Sequence, residues 1–358
     1  MSALSELPWL TSDLPGVAGR LKVLPEDFVV EEIPAYQPCG EGEHLFLWIE
    51  KADVPADGLV RYLCQTLGVA RDDVGVAGLK DRRAVTRQFV SVPARAAERV
   101  EAASTESIRI LSAQRHTNKL KTGHLKGNKF SILLREPASD VSAEAASKPG
   151  TRFQIAERIV TRLRAVGVPN YYGEQRFGIG GETASLGFDL LRGHKSTRDI
   201  PHAKRKFLLR LALSAAQSEL FNTALADRMS REQLRTVLVG DVMRKSSTGG
   251  LFTTTDAAAE QPRLDAGELQ ITGPMFGPKM QPPQAEPADR EAALLKDAGL
   301  AIEDFSRYPK LTSGARRPYL IDVSDLKVSA EADGLRFDFI LPAGAYATVL
   351  LREIAKQA

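Results

Sequence analysis

The segment V-A-G-L-K-D-R-R-A-V-T-R-Q-F-V-S-V, residues 76–92, places a charged turn between two apolar runs. One acid, Asp81, stands in that turn among a lysine and two arginines. Gly78 permits a tight turn, and residues 88–92 have the β-branched and aromatic content of a strand. The pattern predicts that Asp81 lies on a loop at the mouth of a strand, where functional groups often sit. The alternative is a solvated surface turn in which the acid only neutralises its neighbours.

Length and composition indicate a folded chain with more than one structural unit. Its 358 residues exceed a typical single domain, and 43% hydrophobic with 26% charged residues is close to the globular average. No apolar run reaches the roughly 18–20 residues that span a bilayer, and the N-terminus lacks a signal-peptide pattern. We therefore expect a cytoplasmic protein that has no part in a membrane.

The sequence gives little support to metal or cofactor binding. Cys39 and Cys64 are the only cysteines, and the five histidines lack the spacing of a zinc site. The glycine-rich G-I-G-G-E-T-A-S-L-G that begins at Gly178 fits neither a dinucleotide-binding nor a P-loop pattern. We expect no metal and no cofactor.

Charge is distributed unevenly along the chain. Residues 109–135 contain seven Lys and Arg and no Asp or Glu, and a second basic segment at 192–206 contains one acid. Clustered cations of this kind favour binding of a phosphate backbone, although a solvated surface is the simpler alternative. The candidate RNA-backbone residues are Arg115, Lys119, Lys121, Lys126, Lys204 and Arg205.

Periodicity predicts strands at both ends of the chain and helices in the middle. Strands are expected at 44–50, 88–92, 130–135 and 335–341, with a strand pair around a turn within 21–31. Helices are expected around Leu59, Leu63 and Leu67, over 155–166 and over 204–229. The polar segment 137–150 predicts a loop or a domain boundary. This arrangement predicts an α+β domain interrupted by an insertion.

The motif G-N-K-F, residues 127–130, sets an amide and an aromatic ring two positions apart. On a strand, that spacing puts Asn128 and Phe130 on one face, where the amide could bond the edge of a flat base and the ring could stack on it. The alternative is that Phe130 belongs to the core and Asn128 to a turn. The residues alone leave both readings open.

Five segments taken together resemble the TruD family of tRNA pseudouridine synthases. They are K-V-L-P-E-D-F-V-V-E-E, G-L-K-D-R-R-A-V-T-R-Q, L-K-G-N-K-F, P-N-Y-Y-G-E-Q-R-F-G and L-P-A-G-A-Y-A-T-V-L-L-R-E. The resemblance implies a pseudouridine synthase catalytic domain, a mixed sheet with flanking helices in permuted order, formed by residues 1–150 and 307–358. It also implies a large α-rich inserted TRUD domain at 151–306.

The same resemblance implies an isomerase that converts uridine to pseudouridine in tRNA, at uridine 13 of tRNA(Glu) in the bacterial members. It implies tRNA as the partner, and the sequence itself gives no sign of an obligatory protein partner. The chemistry breaks an N-glycosidic bond, turns the uracil and rejoins it through C5, which needs a carboxylate at the sugar and no cofactor. A tRNA-binding protein without catalysis, such as an RNA chaperone, is the alternative that the basic segments alone support equally well.

Site residues follow from the family's motifs. Its catalytic aspartate lies in G-x-K-D, which implies that role for Asp81. The motifs also imply that Phe28, Asn128 and Tyr346 contact a flipped nucleotide, with Tyr346 standing where the family typically has Phe. Phe130 would lie beside the uracil.

Lys22 and Glu31 belong to the N-terminal motif of the family. The resemblance implies that they orient Asp81 or its neighbours at the substrate. The cations around Asp81 would keep its carboxylate ionised. Whether that carboxylate attacks C1′ or removes a ribose proton to give a glycal stays open.

Overall fold

The computed structural model describes residues 7–137 and 149–356, which fall into two compact units. One unit comprises 15–137, 149–164 and Val323–Ala347, and the other comprises 7–14, Ala165–Asp322 and 348–356. The division of the chain into 1–150 plus 307–358 and 151–306 stays a prediction about domains. Most of the predicted loop at 137–150, and residues 1–6, lie outside the described residues.

Strands and helices alternate irregularly along the chain. The strands are β1 (Phe28–Pro34), β2 (His44–Ala52), β3 (Gly75–Val76), β4 (Val85–Pro93), β5 (Ile108–His116), β6 (Leu125–Arg135), β7 (Val168–Pro169), β8 (Val242–Lys245), β9 (Leu251–Thr253), β10 (Leu269–Met275), β11 (Ala315–Pro318), β12 (Leu320–Ile321), β13 (Lys327–Glu331) and β14 (Gly334–Pro342). The helices are α1 (Ala56–Leu67), α2 (Pro149–Val166), α3 (Glu182–Arg192), α4 (Arg205–Ser230), α5 (Ala257–Asp265), α6 (Ala285–Asp297) and α7 (Ala347–Ala355).

The first unit is built on a mixed sheet. Among the described residues, seven of its eight strands follow the order β13-β14-β6-β1-β4-β2-β5, and β3 pairs with β4. The pair β1 and β4 is parallel, and the other neighbours are antiparallel. Several strands that follow one another in the sequence are therefore separated in the sheet, and the N-terminal β1 and the C-terminal β14 both pair with β6.

Strand periodicity gives this sheet two different faces. Leu47, Ile49 and Val90 pack on one face against the apolar side of α1, which ends where Gly68 adopts the left-handed conformation at φ 66°. The cross-strand pairing places Val30 and Phe130 on that same face. We call it the α1 face, because α1 covers one end of it.

The structure confirms most predicted elements and lengthens several of them. The strands predicted at 44–50, 88–92, 130–135 and 335–341 all form, as do the three helices. The strand pair predicted within 21–31 is wrong, since only β1 is a strand there. Lys22 has φ 55° and a 3-10 turn begins at Pro25, so the chain before Phe28 cannot extend into a hairpin.

The second unit contains a four-stranded sheet, in the order β11-β10-β8-β9, a β12-β7 pair and the helices α3 to α6. Helices α3 and α4 pack closely at Gly187, where a Cβ atom would lie 2.0 Å from the carbonyl oxygen of Ala212. Phe188, Leu190 and Leu213 belong to the core around this contact. None of the described helices has the length and apolar content needed to cross a bilayer.

Candidate active site

Asp81 lies on the loop between β3 and β4, with its carboxylate half exposed. Its Oδ2 atom accepts a hydrogen bond from the ammonium of Lys22 at 2.9 Å. Its Oδ1 atom accepts no hydrogen bond from any described residue. One carboxylate oxygen is thus oriented by a cation while the other has no described donor, which suits a group that reacts with a ligand.

The turn that carries Lys22 is fixed by a buried ion pair. Arg135 donates to both carboxylate oxygens of Asp27, which also accepts the backbone N–H of Leu24 at 2.8 Å. Burial tends to raise the pKa of Asp27, but the hydrogen bonds from Arg135 and the backbone outweigh it and lower the pKa. The ammonium of Lys22 also lies 4.1 Å from the centroid of the Phe28 ring. Lys22 therefore bridges Phe28 and Asp81.

Two buried lysines stabilise the loop that carries Asp81. Lys51 donates to the carbonyl oxygens of Asp81, at 2.8 Å, and Val54, at 2.7 Å. Burial lowers the pKa of Lys51 to about 8, and the Asp81 carboxylate opposes part of that shift. Lys80 pairs with Glu32 at 2.7 Å, and both side chains are almost fully buried. The backbone on either side of the catalytic candidate is thus anchored to the sheet.

The aromatic candidates form a packed row on the α1 face. Phe130 stacks on Phe339 with centroids 5.1 Å apart, and it forms a T-shaped contact with Phe28 with centroids 6.2 Å apart. Phe28 is 2% exposed and Phe130 is 7% exposed, so little of either ring is open in this structure. Both residues therefore contribute to the core.

Asn128 carries a buried oxygen that lacks a partner. It is paired across the sheet with Glu32 on β1 and Leu341 on β14. Its Oδ1 atom is buried and accepts no hydrogen bond from the described residues. Thr86 and Gln88, on the same face of β4, also have a buried side-chain oxygen without a described partner. An unsatisfied buried acceptor costs about 1–3 kcal/mol, so this polar cluster suits a ligand or water that donates hydrogen bonds.

Tyr346 lies close in sequence to this end of the sheet. It follows the turn after β14, whose last residue, Pro342, is paired with Gly127 on β6. The turn is tied to β6 by the bond from the Ala343 N–H to the Lys126 carbonyl at 3.1 Å. Tyr346 is partly exposed.

Glu31 does not contact Asp81. Alternation along β1 places Glu31 on the face opposite Phe28 and Glu32, where it pairs with Arg87 at 3.1 Å. Arg87 also pairs with Glu50 at 2.8 Å, and Glu50 pairs with Arg109 on β5. Burial tends to raise the pKa of Glu50, but hydrogen bonds from the two arginines lower it overall. Glu31 thus belongs to a row of alternating charges across the sheet.

The predicted RNA-backbone residues occur in both units. Arg115, Lys119, Lys121 and Lys126 lie on β5, on β6 and on the loop between them, and all except the half-buried Lys119 are exposed. Lys204 is exposed just before α4, and Arg205 at its start donates to the carbonyl of Ile200 at 3.3 Å.

Sequence reasoning missed the residues that support Asp81 from inside the sheet. Lys51, Glu32 and Lys80 are charged yet buried, a combination that composition does not reveal. One signal was available for Glu32, because it stands four residues after Phe28 and shares its strand face. The stacking partner Phe339 could be found only after the pairing of β6 with β14 was known.

The sequence and fold are similar to those of one protein family throughout. A model of the family described as tRNA pseudouridine synthase D (TruD) matches residues 5–198 and 194–354. Proteins named tRNA pseudouridine synthase D from Anaeromyxobacter dehalogenans and from Thermus thermophilus are each 41% identical to this chain. These alignments cover 99% and 98% of this chain, and 97% and 92% of the relatives.

A solved structure shares the same fold. The crystal structure of a TruD chain from Methanosarcina mazei aligns with a TM-score of 0.79 at 23% identity, covering 99% of this chain and 97% of that one. This similarity confirms the predicted α+β class with its pseudouridine synthase architecture.

Proposed function

Since the chain belongs to the tRNA pseudouridine synthase D (TruD) family of tRNA-modifying isomerases, we propose that its substrate is uridine 13 of tRNA(Glu) and that Asp81 is the catalytic carboxylate. The observation that carries the assignment of Asp81 is its half-exposed carboxylate, oriented by Lys22 at 2.9 Å on a loop that buried lysines anchor. Because tRNA is the substrate, we place the reaction in the cytoplasm.

The reaction makes limited chemical demands on the protein. The bond from uracil N1 to C1′ breaks, the base turns, and a bond forms from C5 to C1′. The C5 hydrogen leaves as a proton and N1 gains one, so the nucleotide keeps its composition and no redox cofactor is needed. Asp81 either attacks C1′ or removes a ribose proton, and both routes need an ionised carboxylate held at the sugar.

The surrounding residues position the carboxylate of Asp81 and the uracil base. Lys22 fixes one oxygen of Asp81, and Lys51 fixes the backbone of the same residue. The unpartnered Oδ1 of Asn128 can accept the N3–H of uracil. Such a bond would hold one edge of the base while its glycosidic bond is broken.

A uridine must leave its stack to reach Asp81. Extruding a base costs a few kcal/mol, which contacts with aromatic rings and buried polar groups can offset. In this proposal Phe28 and Tyr346 contact the extruded nucleotide, and Phe130, whose ring meets that of Phe28 in the core, supports Phe28. The basic residues at 115–126 and 204–205 would bind backbone phosphates and supply most of the affinity.

The tRNA assignment is tested by mapping the product. The protein is incubated with unmodified transcripts of tRNA(Glu), of tRNA(Glu) carrying U13→C, and of an unrelated tRNA with another base at position 13. Pseudouridine is then located by carbodiimide labelling and primer extension. A single stop that maps pseudouridine to position 13, in the first transcript alone, supports the proposal, and modification at another position contradicts it.

A further inference from the structure

A cavity whose lining does not include Asp81 is formed by rings and cations of the first unit. Its volume is about 690 Å³, and its main lining residues are Tyr36, His44, His116, Lys119, Lys121 and His124. We call it the histidine cavity. Neither the family resemblance nor the proposed reaction assigns a role to its three histidines.

Backbone groups set the tautomers of two of these histidines. The N–H of Cys39 donates to Nδ1 of His116 at 3.3 Å, and the N–H of Lys121 donates to Nδ1 of His124 at 3.4 Å. A backbone N–H can only donate, so each Nδ1 must accept, and each neutral imidazole carries its hydrogen on Nε2. Neither Nε2 atom has a partner among the described residues. Two residues of the cavity lining thus each offer an imidazole N–H donor that no described residue uses.

Packing holds these rings in place before any ligand arrives. His116 is 9% exposed, stacks on Tyr36 with centroids 5.0 Å apart and forms a T-shaped contact with Phe46 with centroids 4.7 Å apart. The Tyr36 hydroxyl lies 2.6 Å from Nδ1 of His124. Side chains locked by packing lose little rotamer entropy when they bind a ligand.

The charges around the cavity are of one sign. Its lining contains two lysines and no Asp or Glu. Lys121 is exposed and forms no ion pair with a described residue, whereas the Lys119 ammonium donates to the Asp72 carbonyl. In addition, Nδ1 of His44 is buried without a described partner. Hydrogen-bond donors with an unpaired cation and no carboxylate favour an anionic ligand.

The cavity is linked to the loop that carries Asp81. Within the same unit, the N–H of Gly123 donates to the carbonyl of Ala77 at 2.8 Å, four residues before Asp81. The N–H of Leu120 donates to Ser91 Oγ at 3.0 Å, and a Cβ on Gly75 would lie 2.3 Å from the Leu120 carbonyl oxygen. An anion held by Lys121 and His124 would therefore be bound by the segment that packs under the start of the catalytic loop.

We propose that the histidine cavity binds one backbone phosphate of the tRNA through Lys121 and the Nε2–H groups of His116 and His124. This inference rests on the proposed function, because it takes tRNA as the ligand. It adds a site in which a phosphate is held by fixed imidazoles, in contrast to a diffuse attraction to surface lysines. Free inorganic phosphate has the same chemistry and is the other possible source of the anion.

The test compares His124→Gln, Lys121→Gln and the double variant with the wild type, using an unmodified tRNA transcript. Lys327→Gln, which removes an exposed lysine of the same unit on edge strand β13, is the control. Binding is measured over a range of salt concentrations. We expect each cavity variant to bind several-fold more weakly, and the salt slope of Lys121→Gln to fall by about 0.7–0.9, the value for one lost phosphate contact.

The double variant decides whether the two side chains share one phosphate. If they do, its loss of affinity is clearly smaller than the product of the two single losses, because the phosphate is lost only once. Unchanged binding by His124→Gln, or losses that multiply, would overturn the proposal. Since Lys121 is exposed, Lys121→Gln is expected to fold normally, and circular dichroism checks the other variants.

NMR distinguishes tRNA from free inorganic phosphate as the source of the anion. The imidazole signals of His116 and His124, assigned by their Gln variants, should shift on addition of the transcript and not on addition of millimolar inorganic phosphate at equal ionic strength. Shifts caused by phosphate but not by tRNA would overturn the assignment to RNA. Isomerisation by the same wild-type sample is assayed in parallel. If the protein isomerises uridine but the histidine signals do not respond to tRNA, only this inference is wrong. If the histidine signals respond to tRNA but no isomerisation occurs, only the proposed function is wrong.

Discussion

Lys22 and Asp81 are 59 positions apart in the sequence, yet the Lys22 ammonium lies 2.9 Å from the Asp81 carboxylate. The contact joins the turn before β1 to the loop before β4, and those two strands are parallel neighbours. Both partners are partly exposed, so the pair contributes little to stability, about 0–1 kcal/mol. The main effect of this contact is to orient the Asp81 carboxylate.

Replacing Lys22 by Met tests that orienting role. We expect turnover of tRNA to fall about tenfold or more, since a hydrogen bond to a charged group is worth about 1.5–3 kcal/mol, while the free energy of unfolding changes by less than about 1 kcal/mol. Single-turnover kinetics and urea unfolding measure the two quantities. Lys22→Arg should keep much of the activity.

Arg61→Met is the matched control for the Lys22 variant. It removes another surface ion pair, at 3.0 Å to Asp57 on α1, and should leave turnover unchanged. Equal turnover in Lys22→Met and wild type would show that the contact with Asp81 has no part in the reaction.

Asn128→Ala separates activity from stability. The unsatisfied Oδ1 of Asn128 gives the folded state no hydrogen bond and costs it about 1–3 kcal/mol, so its removal should not lower the free energy of unfolding and should raise it by up to about that amount. Turnover should fall at least about tenfold if the amide accepts the uracil N3–H. Thermal unfolding and turnover on one preparation test this. A variant that keeps full turnover would remove Asn128 from the site.

Phe130→Ala is expected to reduce turnover much more than tRNA affinity, because phosphate contacts supply most of the affinity. The ring is stacked on Phe339, so the same change should also destabilise the fold by about 3–5 kcal/mol. Phe130→Leu keeps more of the packing and is the better variant for kinetics.

Phe337→Leu serves as the control for Phe130→Leu. Phe337 is fully buried on the neighbouring strand and aligns with Ile132, two residues from Phe130. The Phe337→Leu variant should lose a similar free energy of unfolding and keep the turnover of the wild type. Equal effects of both substitutions on turnover would mean that Phe130 acts only through the core.

Lys51 makes stability depend on pH in the alkaline range. Its pKa of about 8 in the folded protein lies below its ordinary value of 10.5, so the unfolded chain binds more protons between these values. The free energy of unfolding of the wild type should therefore rise with pH across this window, relative to Lys51→Met. The expected gain between about pH 7 and pH 9.5 is on the order of 1–2 kcal/mol. Urea unfolding of both proteins at the two pH values measures it, and a constant difference would contradict the assignment.

The sequence predicted those elements whose cause is local. The spacing of Leu59, Leu63 and Leu67 and the alternation at 335–341 express the face that each element buries, and both elements form. The failed strand pair at 21–31 has a different cause. A positive φ at Lys22 and the Asp27–Arg135 pair determine that turn, and the second depends on a residue more than a hundred positions away.

The residues of the candidate site likewise fall into those that local sequence predicts and those that depend on the fold. Motif resemblance supplied Asp81, Asn128 and Phe130, because those positions are encoded in short segments. The supports of the loop, Lys51 and the Lys80–Glu32 pair, depend on how β1, β2 and β4 are placed together. The position of Glu31 could not be predicted from its motif, because the motif does not say which face of the sheet each residue occupies. A shift of one position along a strand moves a side chain to the opposite face.

The central claim, that Asp81 drives uridine isomerisation, is tested most directly by release of tritium from tRNA labelled at C5 of uridine. Formation of pseudouridine must expel that hydrogen. The wild type should release it, and Asp81→Asn should release it at least about a thousandfold more slowly while binding tRNA equally well. Comparable release by both proteins at matched tRNA occupancy would contradict the account.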